Sequence, residues 1–160
     1  VKEIEAGAYI AGSVAMAGSK VYVGHYESEF LCFDLDQGSL KWKYRDRSFP
    51  YYASPAIVED KVMIGGRDRQ LHCLNRETGE RIWRFSTRGK VDSSPVVVGE
   101  EVVFGSEDGR LYRVRLEDGK EIQSIDVGQP LTSSPAVIKD WVVIGSEDGN
   151  VYGFHAKSQL

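Results

Sequence analysis

The chain has 160 residues, 41% of them hydrophobic, which suits one folded domain and excludes a disordered tail. Lysine and arginine total 20 against 24 acidic residues, a net charge of −4, so no nucleic-acid partner is expected and nothing electrostatic favours an anionic membrane. Seventeen glycines against five prolines, with eight tyrosines, exclude helix bundles and coiled coils, and no apolar run reaches the roughly 18 to 20 residues of a membrane-spanning helix, so membrane insertion is not expected.

In chain order, the opening Val1-Lys2-Glu3-Ile4-Glu5 lacks the cationic-then-apolar layout of a leader, and the absence of an initiator methionine leaves the compartment unknown. From Ser13 onward the chain repeats itself. Ser54-Pro55, Ser94-Pro95 and Ser134-Pro135 recur every 40 residues, Gly65, Gly105 and Gly145 follow each proline by ten, and Ser13-Val14 with Gly24 opens the first copy at an offset of 41. A short apolar strand precedes each glycine: Val21-Tyr22-Val23, Val62-Met63-Ile64, Val102-Val103-Phe104 and Val142-Val143-Ile144. A polar turn follows, best formed as Ser106-Glu107-Asp108-Gly109 and Ser146-Glu147-Asp148-Gly149, and then Leu111-Tyr112 or Val151-Tyr152. A second turn at Asp36-Gln37-Gly38, Glu77-Thr78-Gly79 and Glu117-Asp118-Gly119 leads into Leu40-Lys41-Trp42, Arg81-Ile82-Trp83 and Glu121-Ile122-Gln123.

Each copy therefore predicts four short antiparallel strands, A to D, in about 40 residues, the arithmetic of a propeller blade. The predicted fold is all-β, a β-propeller of four four-stranded blades at 12–52, 53–92, 93–132 and 133–160. The last copy stops before its own strand D. Counting back from Ser13 sets Lys2-Glu3-Ile4 opposite Trp83-Arg84-Phe85, so 1–11 is predicted as the strand D that completes the last blade. Closure is open between a four-bladed ring of one chain, a homodimer forming an eight-bladed ring, and half of a longer propeller.

The run Cys73-Leu74-Asn75-Arg76-Glu77-Thr78-Gly79-Glu80-Arg81-Ile82-Trp83 resembles the tryptophan-docking motif of the quinoprotein-type, or PQQ-like, propeller repeats. Cys32 to Trp42 matches with Gln37 in place of threonine, and Arg113 to Gln123 keeps only Gly119 and the frame. Physically, an indole at the start of strand D covers the neighbouring blade while its N–H reaches a carbonyl. Trp42, Trp83, Gly38, Gly79 and Gly119 are thus expected as blade-docking positions, with Cys32 and Cys73 as buried structural thiols at the small position. The resemblance implies either a noncatalytic scaffold, as in the propeller lipoprotein of the outer-membrane barrel-assembly machinery or in sensor domains of signalling proteins, or part of a dehydrogenase holding pyrroloquinoline quinone and calcium. It favours a periplasmic or extracytoplasmic setting. Against the enzyme, Cys32 and Cys73 are 41 apart rather than adjacent, and only four blades are present.

No catalytic residue, metal ligand set or cofactor is assigned. His25, His72 and His155 occupy unrelated repeat positions, and the recurring Glu107, Asp108, Glu147 and Asp148 read as turn residues. Candidate binding residues lie where copies depart from one another. After strand B, copy one reads His25-Tyr26-Glu27-Ser28 and copy two Gly66-Arg67-Asp68-Arg69, and between strands D and A copy one carries Arg45-Asp46-Arg47-Ser48-Phe49-Pro50-Tyr51-Tyr52. B–C turns and D–A connections share one rim of a meander blade. His25, Tyr26, Phe49, Tyr51, Tyr52, Arg67 and Arg69 are therefore expected to form a rim patch for a protein partner or small ligand.

Overall fold

The computed structural model describes residues 2–155. Blade one holds β1 (Ala15–Ala17), β2 (Lys20–Gly24), β3 (Phe30–Asp34) and β4 (Ser39–Tyr44), and blade two holds β5 (Ala56–Val58), β6 (Lys61–Gly66), β7 (Gln70–Asn75) and β8 (Arg81–Ser86). Blade three holds β9 (Val96–Val98), β10 (Glu101–Gly105), β11 (Arg110–Arg115) and β12 (Glu121–Asp126). Blade four has β13 (Ala136–Ile138), β14 (Trp141–Gly145) and β15 (Val151–His155). Among the described residues every sheet is an antiparallel meander in chain order, four-stranded in the first three blades and three-stranded in the fourth. No helix of the described residues is long and apolar enough to cross a membrane.

The innermost strands β1, β5, β9 and β13 contact one another in succession. The repeated serine explains part of that order. Ser13 N–H donates to Ser54 Oγ (2.9 Å), Ser54 N–H to Ser94 Oγ (2.8 Å) and Ser94 N–H to Ser134 Oγ (3.1 Å), a ladder from blade to blade. The proline after each later serine lacks an N–H, so the serine supplies the inter-blade bond.

Pairing of the third and fourth strands slips by one residue at the same place in three blades. Cys32 faces Trp42 but Phe33 faces Leu40; Cys73 faces Trp83 but Leu74 faces Arg81; Arg113 faces Gln123 but Val114 faces Glu121. Such a bulge re-aims the side chains around it. It sets each tryptophan directly opposite a cysteine, whose small side chain leaves room for the indole.

The indoles then reach the next blade. Trp42 Nε1–H donates to the Arg76 carbonyl and Trp83 Nε1–H to the Leu116 carbonyl, both at 2.9 Å. Gly79 and Gly119 lie under the rings at φ of 74° and 70°, and a Cβ on either would sit 2.6 or 2.5 Å from the indole. Only glycine satisfies both the left-handed backbone and the contact. The cores lie between blades: Tyr22, Phe30, Cys32 and Trp42 against Val62, Ile64 and Leu74, then Met63, Leu71, Cys73 and Trp83 against Val102, Phe104 and Val114. Both cysteines are free and buried, and burial pushes the Cys73 thiol up to about 12 and raises that of Cys32.

Of the predicted strand 1–11, Val1 lies outside the described residues and the rest differs from expectation. Residues 2–14 contain no strand, because nothing of the fourth blade lies beside them to exchange ladder hydrogen bonds. They nonetheless follow the predicted route. Ile4 and Ala6 pack on Val23, Leu31 and Phe33, the face of blade one turned away from blade two. The Tyr9 carbonyl accepts from Tyr26 N–H at 2.9 Å, as Pro50 does from Arg67, Lys90 from Glu107 and Pro130 from Glu147.

Trp83→Ala removes a ring that is 7% exposed and should destabilise by about 3 to 5 kcal/mol in denaturant titration. Gly119→Ala should approach that loss without removing an atom. Neutral behaviour of both would contradict the docking role.

Candidate functional site

Each D–A connection threads between two B–C turns. Tyr51 N–H donates to the His25 carbonyl and Arg67 N–H to that of Pro50, and the pattern recurs at Val91–Gly66, Glu107–Lys90, Leu131–Ser106 and Glu147–Pro130. Turns and connections therefore do share one rim. On it Tyr26 and Tyr52 stack with centroids 6.1 Å apart and planes at 27°. The Arg67 guanidinium lies over Tyr52, 4.1 Å from the ring centroid. Its other side is clamped by Asp92, at 2.7 Å from Nη2 and 3.1 Å from Nε, which raises the arginine pKa further. The result is an aromatic–cation–carboxylate stack crossing blades one and two.

Phe49 and Tyr26 are exposed, and so is Arg69. Arg69 holds φ of 66° and Ser28 φ of 69°, at the turn position where blades three and four use Gly109 and Gly149. Two non-glycine residues thus occupy a left-handed conformation on this rim.

Two expected rim residues turn inward. His25 is buried, with Nδ1 accepting from Glu27 N–H (3.1 Å). Tyr51, only 1% exposed, packs edge-on against His72 and tilted against Phe30, while Tyr52 takes the outward place. Adjacent residues in extended chain point to opposite sides, and residue type gave no means of choosing between the two tyrosines.

Beneath the stack lies a polar cluster that sequence reading did not assemble. Asp46 comes from the D–A connection, Asp68 from the next turn and His72 from β7, with their ligand-type atoms within 4.8 Å of one another. His72 Nε2 donates to Asp68 Oδ2 (2.9 Å), leaving Nδ1 to accept from Tyr44 O–H (3.1 Å). Burial raises the pKa values of Tyr44 and Tyr51, the latter beyond the usual phenol range. Asp46 receives Arg81 at 2.7 Å and Arg84 at 2.9 Å. A carboxylate already holding two arginines, beside a single imidazole, does not fit the six to eight oxygen ligands that calcium takes. The pair Asp68–His72 also has plain counterparts in Asp108–Tyr112 (2.8 Å) and Asp148–Tyr152 (2.7 Å), so it serves first as a turn lock. The repeated aspartates are accordingly hydrogen-bonded turn residues rather than merely solvated ones.

The third inter-blade contact lacks an indole at the docking position. Gln123 stands where Trp42 and Trp83 stand, held by Arg113 Nη1 (2.8 Å), and Arg113 is held in turn by Glu101 (2.7 Å). A pocket of about 80 Å³ remains there, lined by Val103, Leu111, Ile125, Val142 and Phe154. Its signal in the sequence was the joint loss of cysteine and tryptophan at Arg113 and Gln123.

Tyr152 O–H and then Asn150 hold the Asp148 carboxyl down from 3.8 to about 2. A carboxyl lowered in the fold contributes stability above its unfolded pKa near 3.8, and that contribution disappears as pH falls through about 2. In Tyr152→Phe, NMR titration should find the Asp148 pKa moved back toward 3.8; no movement would exclude the phenol as the main cause.

The sequence model of a family described as "Outer membrane protein assembly factor BamB" matches residues 47–159. A quinohemoprotein alcohol dehydrogenase (ADH IIB) of Pseudomonas putida is 31% identical over 84 residues, 46% of this chain but 12% of that enzyme. BamB from Moraxella catarrhalis superposes with a TM-score of 0.82 at 22% identity, over 94% of this chain and 48% of its own. The computationally designed Ika4 protein superposes at 0.85 with 17% identity over 96% and 95%, and the designed Ika8 at 0.81 with 18% over 91% and 45%. The chain therefore spans about half of BamB and a small part of the dehydrogenase. The repeats, the docking motif and the family match agree: the chain belongs to the BamB-like family of PQQ-like repeat β-propellers.

Proposed function

We propose that the chain is a noncatalytic propeller scaffold whose B–C/D–A rim, over blades one and two, holds a protein partner. The observation that carries this is the stack of Tyr26, Tyr52, Arg67 and Asp92. The arginine charge is met within the molecule, so the stack presents rigid aromatic surface rather than a free cation. Tyr26 is 55% and Phe49 47% exposed beside it, and preordered aromatic surface of this kind makes an anchor at little entropic cost. Left-handed Ser28 and Arg69 add local strain that the fold tolerates on this rim, a common mark of functional loops. The BamB-like fold supports an assembly role in general terms. A small ligand at the same rim would compete with the protein.

Tyr26→Ala and Arg67→Ala should weaken partner capture from a cell-envelope extract, quantified by mass spectrometry, with a change of only a few degrees in melting temperature. Undiminished capture by both would remove the rim from the reading.

The second reading, part of a quinoprotein dehydrogenase, is favoured by the partial likeness to the Pseudomonas putida enzyme. Incubation with pyrroloquinoline quinone and calcium should leave no stoichiometric chromophore on the protein. A bound chromophore with dye reduction would reverse the order of the two readings.

A further inference from the structure

We infer that the two open ends of the blade arc form one interface, and that a second copy of this chain closes it head to tail into an eight-bladed ring. In each of the first three blades, the face turned toward the next blade is covered. Phe30, Leu71 and Leu111 occupy equivalent positions there and are 0, 0 and 1% exposed, whereas their counterpart Val151 on blade four is 74% exposed. Ile138 (68%) and Trp141 (47%) share that open face, paired across β13 and β14. At the other end Val14 and Met16 are exposed, although the repeat equivalents of Met16, which are Ile57, Val97 and Val137, are part of the inter-blade cores. Exposed apolar surface of this extent marks an interaction site.

The molecule itself specifies what fits. Each internal interface joins the forward face of one blade to the backward face of the next. The forward face of blade four therefore matches the backward face of blade one. Within one chain the inner-strand contacts run β1–β5, β5–β9 and β9–β13, and Met16 and Ile138 both stay exposed. Two copies supply two identical head-to-tail contacts, which close under two-fold symmetry. The serine ladder has matching ends, with Ser13 and Ser134 both exposed while Ser54 and Ser94 are half-buried. In the ring Ser134 N–H donates to Ser13 Oγ of the second copy.

The opening segment fits the same closure. Residues 2–14 already lie on the backward face of blade one, along the course of a preceding blade's last strand and connection. An arriving β15 finds its missing neighbour there, so each copy completes the other's three-stranded sheet and both edges vanish.

Sedimentation equilibrium of the 160-residue chain at micromolar concentration should give twice 17.9 kDa. A monomer would overturn the inference. Val151→Arg should yield a monomer of unchanged circular dichroism, and a persistent dimer would place the contact elsewhere. Register is read by Ser13→Cys and Ser134→Cys, prepared separately. Mixed and oxidised, they should form a covalent pair, and each alone should not. Cross-linking of either variant with itself, or none in the mixture, would exclude head-to-tail closure. Tyr26→Ala should dimerise like the parent chain, so failure of the rim reading and failure of ring closure stay distinguishable.

Discussion

Everything in this molecule depends on one blade covering the next. A single blade is a thin four-stranded sheet with apolar side chains on both faces, and neither face is buried within the blade itself. Stacking turns those faces into cores, and the indole of Trp42 or Trp83 locks the outer part of the contact by lying flat on a glycine and donating to a carbonyl. The bulge before each tryptophan belongs to the same device, since without the extra residue the indole would project to the opposite face. Where the device is missing, at Arg113 and Gln123, a polar chain of glutamate, arginine and glutamine takes its place and a pocket remains.

Because stacking is one-directional, a run of blades has two unlike end faces, and part of the exposed apolar surface lies on them. The ends carry Val14, Met16, Ile138, Trp141 and Val151, whereas equivalent positions in the middle are covered or partly covered. The rim is a separate matter. Turns there are held by short bonds from aspartate to tyrosine, histidine or backbone, which fix the loops without drawing on the inter-blade cores. Copies one and two are thereby free to vary in their loops, and the variation produces the stack of Tyr26, Tyr52 and Arg67.

Much of the fold was legible because its signals are local and repeated. Gly105 closing a strand, Asp108-Gly109 turning a hairpin, and Thr78-Gly79 preceding Trp83 each act within a few residues, and recurrence at a fixed spacing removes the ambiguity of any single instance. The rim was legible only in outline. That the B–C turns and D–A connections lie together follows from meander geometry, but the inward turn of Tyr51 depends on residues distant in the chain, Phe30 on β3 and His72 on β7 of the next blade. Arg67 and Asp92 are 25 residues apart, and no pattern in the chain announces their pairing.

The sequence by itself determined the blade count, the strand positions and the recurrence of the docking motif, since all of these are periodic; which glycine meets which indole came from the fold, with Gly79 under Trp42, Gly119 under Trp83 and nothing against Gly38. Tertiary structure decided which departures from the period meet one another: Asp46 with Asp68 and His72, Tyr26 with Tyr52, and the opening segment with blade one rather than with β15. The physical reason is that hydrogen-bonded turns and alternating strands are set by near neighbours, whereas contacts between blades join residues tens of positions apart whose partners are fixed only once the stack has formed.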